Sequence, residues 1–108
     1  MKLILAIIHN EDGTKAIVAL NNAGCSVTKL ATTGGFLRSG NMTLLVGIDE
    51  DRIPEVLEIF KKNCSTRKKI MATPIATGMA GVMSNYPVEV DVGGATIFIL
   101  DVDRFEKI

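Results

Sequence analysis

Residues 2–9, KLILAIIH, are apolar almost without interruption, a pattern that predicts a central strand covered on both faces. From Asp12 the spacing changes. DGTKAIVALNNAG places Ala16, Ile17, Ala19, Leu20 and Ala23 at helical intervals, with Asp12 as N-cap and Gly24 as the stop. CSVTKLAT (25–32) then alternates Val27, Lys29 and Ala31 against Ser26, Thr28 and Leu30. MTLLVGID (42–49) follows as a second β-rich run, and the two predict an antiparallel hairpin. A second helix is predicted over 49–64, DEDRIPEVLEIFKKNC. It has acids at its start, Pro54 early, Ile53, Val56, Leu57 and Phe60 on one face, and Lys61 and Lys62 at its end.

The region 65–75 begins as a strand, but Gly78, Gly81, Ser84, Asn85 and Pro87 mark a long irregular excursion through 74–87. Val88, Val90 and Val92 next alternate with Glu89 and Asp91. The chain turns or bulges at Gly93 and Gly94, and an apolar strand runs from Ala95 to Leu100. The order is βαββαβ, an α+β sandwich of the ferredoxin-like type with both helices on one face of an antiparallel sheet. The other face is left bare. Covering it requires self-association, and a small symmetric ring with sheets facing inward does so.

Composition agrees. A chain of 108 residues is one domain, yet 47% of it is hydrophobic, more than a single core of that size encloses. Twelve basic residues balance twelve acidic ones, so no global field favours nucleic acid or an anionic membrane, and an anionic ligand must be held by local geometry. The apolar start is too short for a membrane span and lacks a signal-peptide layout. Cys25 and Cys64 have no metal spacing and read as free thiols filling apolar space. A cytoplasmic protein is expected.

Catalytic groups are scarce. His9, the only histidine, ends the first strand with no second group placed to work with it, and reads as a solvated strand-end residue. Asp49, Glu50 and Asp51 have a metal-like composition, but they fall where a helix N-terminus attracts carboxylates. The loop in residues 29–41 offers more. Gly34 and Gly35 let the backbone approach a ligand, Phe36 gives a flat surface for a purine, and Asn41 carries the donor and acceptor that match an adenine edge. Thr28, Thr32 and Thr33 add hydroxyls. Each also has an ordinary reading as a turn, contact or strand residue.

The order of residues TKLATTGGFLRSGN (28–41), followed by GIDEDR (47–52) and YPVEVDVGGATIFILDVDRF (86–105), closely resembles the PII-like receptor family for the bacterial second messenger cyclic di-AMP, the PstA or DarA type. The likeness spans essentially the whole chain. It implies a single PII-like domain over 1–108 and a homotrimer of ferredoxin-like subunits. It also implies a short loop after the second strand, a longer one before the last, and cyclic di-AMP in clefts between adjacent subunits. By motif, Thr28, Gly35, Phe36, Leu37, Asn41 and Gly47 correspond to nucleotide-binding positions, with Phe98 lining the place of the other base. Phe36 is then a stacking surface and Asn41 reads an adenine edge. Thr28 and Gly47 add polar contacts, and Leu37 with the Gly35 backbone forms a wall. Two positions depart from the pattern. Ser26 stands where members often carry an arginine able to meet phosphate, and Glu106 and Lys107 occupy the region of a C-terminal glutamine. Lys107 or Lys29 is expected to supply positive potential in its place.

The resemblance implies a non-enzymatic signal receptor, without cofactor or metal, whose loops rearrange on binding and are read by an unidentified target protein. The alternatives are a trimer that binds another adenine nucleotide, or a nucleic-acid-binding module. The second lacks the paired strand aromatics and basic surroundings of RNA-recognition domains.

Overall fold

Side-chain alternation sets the sheet. In β1 (Lys2–His9), Ile4, Ala6 and Ile8 are buried, while Leu3, Leu5 and Ile7 are only half-buried. The strand is central, with β3 (Asn41–Ile48) antiparallel on one side and β6 (Ala95–Asp101) on the other. It is covered by its own chain on one face rather than two. β2 (Val27–Leu30) pairs antiparallel with β3 as the expected hairpin, and the sheet order is β2-β3-β1-β6. The computed structural model describes residues 1–30, 40–76 and 83–108, the stretches 71–76 and 83–88 as backbone.

α1 (Asn10–Asn22) and α2 (Ile53–Cys64) cover the face that carries Ile4, Ala6 and Ile8. The core there joins Met42, Leu44, Val46 and Ile48 of β3 to Ala16 and Leu20 of α1 and to Val56, Phe60 and Cys64 of α2. Each large apolar side chain buried in it contributes about 1.5–3 kcal/mol. α2 is the helix the spacing predicts, with Pro54 in its first turn and a 3-10 turn, Glu50–Arg52, leading into it. The resulting βαββαβ arrangement is compatible with a ferredoxin-like fold.

Two further expectations are corrected. α1 starts at Asn10, whose N–H donates to the Gly40 carbonyl at 2.7 Å, so His9 holds the N-cap position and Asp12 lies inside the first turn. At the other end Gly24, with φ +82°, stops the helix as expected. Asp49 precedes the 3-10 turn without a side-chain cap, so the acids there complement the helix end by charge alone.

The second of these concerns the excursion before the last strand. Residues 74–76 and 83–87 are strand, the outer parts of β4 (Arg67–Ala76) and β5 (Met83–Val92), which form a two-stranded sheet of their own. A two-stranded ribbon leaves one edge of each strand unpaired, which is where Pro74 and Pro87 are tolerated without a lost ladder bond. Gly93 and Gly94, at φ +80° and +91°, make the turn from β5 into β6 that their sequence predicts.

Candidate functional site

The register decides which side chains share the bare face. Leu5 lies opposite Leu45 on one side and Phe98 on the other, and Leu3 lies between Gly47 and Leu100. Thr28 is opposite Leu45, and Asn41 opposite His9. Because paired residues point to the same side, Thr28, Asn41, Gly47 and Phe98 all stand on the face turned away from the helices. Phe98 is 52% exposed and Leu100 45% exposed, and the centre of this face is apolar.

At one end lies a cleft of about 400 Å³, within the usual size of small-molecule sites. Ser26, Thr28 and Gly47 line it together with Leu3, Leu45 and Met1, and Val102 and Phe105 close it from the C-terminal side. Two hydroxyls and an open stretch of strand backbone therefore face an apolar wall. Gly47 is exposed, its backbone is ordinary strand backbone, and among the described residues a Cβ added there would meet nothing within 4 Å.

Asn41 is elsewhere. Six residues along β3 separate it from Gly47, about 20 Å at the usual rise. It lines a second, polar cleft of about 300 Å³ with His9, Thr66, Gly93, Gly94 and Thr96. Phe98 lies on the same face but lines neither cleft. Gly35, Phe36 and Leu37, with Gly34, Thr32 and Thr33, lie outside the described residues. Lys29 is opposite Leu44, on the face away from Thr28. That strand position removes it as a counter-charge beside Thr28.

The C-terminal wall of the first cleft is fixed by specific contacts. The Val102 N–H donates to the Met1 carbonyl at 3.3 Å, and Lys2 forms an ion pair with Asp101 across β1 and β6. That pairing raises the Lys2 ammonium and lowers the Asp101 carboxyl from their ordinary values. Arg104 and Glu106, on either side of Phe105, pair at 2.8 Å.

One arrangement has little sequence signal. Asp12 is fully buried, and its carboxylate accepts from Arg67 Nη2 at 2.8 Å and Nη1 at 3.3 Å. The Arg67 hydrogen bond, then the charges of Arg67, Lys15 and His9, hold Asp12 below the usual carboxylate range against the opposing effect of burial. Arg67 also reaches Glu11 at 3.0 Å and the Ser65 carbonyl at 3.3 Å, so the first residue of β4 is anchored to α1. The only hint in sequence is an acid beside a run of basic residues 55 positions away.

The thiols are not presented for chemistry. Cys25 and Cys64 are free and buried, and burial followed by the charge of Asp12 pushes Cys64 up to about 11. Among the described residues, no group of three or more His, Cys, Asp or Glu side chains is arranged to hold a metal ion. No helix among them is long and apolar enough to cross a membrane.

The sequence matches the cyclic-di-AMP receptor family over residues 1–108, the whole chain. Among solved structures it is similar to a functionally unknown protein from Pediococcus pentosaceus, 45% identical over 99% of this chain and 96% of that one, with a TM-score of 0.77. The chain belongs to the cyclic-di-AMP receptor family.

Proposed function

We propose that this member of the cyclic-di-AMP receptor family binds cyclic di-AMP on the bare face of its sheet and signals the nucleotide's level without transforming it. The observation that carries the reading is Gly47. A glycine inside a strand costs about 0.5–1 kcal/mol relative to alanine, and it is usually kept where a turn, a bulge or a close approach demands it. Among the described residues the fold makes no such demand, because the backbone is ordinary and no described atom occupies the space above it. Something outside the chain is what approaches, and Ser26 and Thr28 beside it offer the hydroxyls that a ribose or phosphate needs.

The 20 Å between Asn41 and Gly47 favours a site shared between copies. In a homotrimer with sheets facing inward, the Thr28 and Gly47 cleft of one subunit meets the Asn41 end of its neighbour, and the apolar face is buried at the same time. Gly35, Phe36 and Leu37 complete the site from the preceding loop, with Phe36 stacking on one adenine and Phe98 beside the other. The whole chain acts as one PII-like cytoplasmic domain. Binding reorders the two loops that the family resemblance implies, after the second strand and before the last, and an unidentified target protein reads the altered surface.

The arginine that members often carry is Ser26 here, which removes one charge-assisted contact to phosphate. Equilibrium binding across cyclic di-AMP, other cyclic dinucleotides and linear adenine nucleotides tests the proposal. Cyclic di-AMP is expected to bind at about micromolar concentration, and no binding at about millimolar ligand would remove the reading. Preference for a linear adenine nucleotide would favour the alternative ligand.

A further inference from the structure

We infer that Phe105 is a nucleotide-contacting residue, forming the aromatic wall of the cleft lined by Ser26, Thr28 and Gly47. The inference rests on the functional reading above and adds to it a residue outside its nucleotide-binding set.

The chain has only four phenylalanines, and their placements differ. Phe60 is in the core, Phe98 is on the open sheet, and Phe36 lies outside the described residues. Phe105 lies past the last strand, in a tail without regular structure. It nevertheless lines the cleft, from outside the sheet. The bond from Val102 to Met1 fixes where the tail leaves the sheet, and Arg104 and Glu106 pair with one another around it.

The result is a ring that is 64% exposed while lining a cleft. An aromatic face left open beside two hydroxyls and a bare backbone suits a base, which stacks through its π-face while its sugar and phosphate meet the polar side. The floor of the cleft, Leu3 and Leu45, is apolar and offers no competing hydrogen bonds to the base plane. A linear or cyclic adenine nucleotide would satisfy the same geometry. Cyclic di-AMP is the probe because the family reading names it.

The test compares wild type, F105A and F105Y in calorimetric titrations with cyclic di-AMP, with oligomeric state measured by light scattering. F105A is expected to weaken binding about 5- to 150-fold at unchanged oligomeric state, and F105Y to retain it. F105W gives a second readout, since the chain contains no tryptophan and the new indole reports on this cleft alone. Its emission is expected to change with saturating cyclic di-AMP. Unchanged affinity in F105A overturns the assignment of Phe105 alone. So does a change of oligomeric state in F105A with F105W emission indifferent to ligand, which would make the ring a contact between copies. Wild-type protein silent to cyclic di-AMP overturns the functional reading and Phe105 with it.

Discussion

Arg67 grips the buried carboxylate of Asp12 with both terminal nitrogens, at 2.8 and 3.3 Å, and thereby ties the first residue of β4 to the first turn of α1. The β4–β5 ribbon pairs with no strand of the main sheet, so this clamp and the Gly93–Gly94 turn fix its base. Asp12 is neutral only at a cost, because its ionised form is the one Arg67 holds.

The clamp sets an acid dependence. The Asp12 carboxyl in the folded chain lies below its ordinary value of 3.8, so its contribution is complete above that pH and is lost as pH falls through the lower folded value. Thermal melts of wild type should drop steeply below about pH 3.8, whereas D12N should start lower at neutral pH and vary less in that acid range. Parallel melting curves for the two proteins would show that the pair contributes nothing to folding. Hydrogen exchange in D12N is expected to rise first in β4 and β5.

Gly93 is a position the fold does require. Its φ is +80°, and a Cβ there would come within 2.7 Å of the Ser65 carbonyl and 2.5 Å of Arg67 Nη1. G93A is expected to lose about 1–3 kcal/mol in urea unfolding, by backbone strain and by displacing the Arg67 clamp. A change within error would mean that the turn relaxes freely.

Gly47 is the converse case. G47V adds a side chain into open space on a strand that favours β-branched residues, so the stability of the single chain is expected to change by less than about 1 kcal/mol. Cyclic di-AMP binding is expected to fall at least about a hundredfold, because the approach to the backbone is closed. Full binding by folded G47V would detach Gly47 from the site.

The thiols supply a check on the core. With Cys64 raised to about 11 and Cys25 also buried, neither should be alkylated at mildly alkaline pH in the native protein, and both should react on unfolding. Rapid modification of Cys64 without loss of structure would contradict its packing between α2 and the sheet.

The fold was legible where burial is periodic. Val56 and Phe60 mark α2, and Ile4, Ala6 and Ile8 mark the covered face of β1, because each recurs at the interval of its own secondary structure. The second face of β1 reads as covered in sequence because Leu3, Leu5 and Ile7 are as apolar as a buried set. Residue type alone does not distinguish burial within a chain from burial between copies. Pro74, Ser84, Asn85 and Pro87 hid the outer parts of β4 and β5, since an isolated ribbon tolerates such residues better than a sheet interior does. Asp12 reads as a cap in sequence because its partner Arg67 is distant along the chain and close only after folding. At the site, the family motif marked Thr28 and Gly47, but their shared face and the arrival of Phe105 depend on the assembled sheet and tail.

The most direct measurement is a crystal structure of the protein with cyclic di-AMP. The account predicts the dinucleotide at a seam between copies, against Thr28 and the Gly47 backbone of one chain. A dinucleotide bound away from that face, or crystals whose Thr28 and Gly47 cleft stays vacant at saturating ligand, would contradict it.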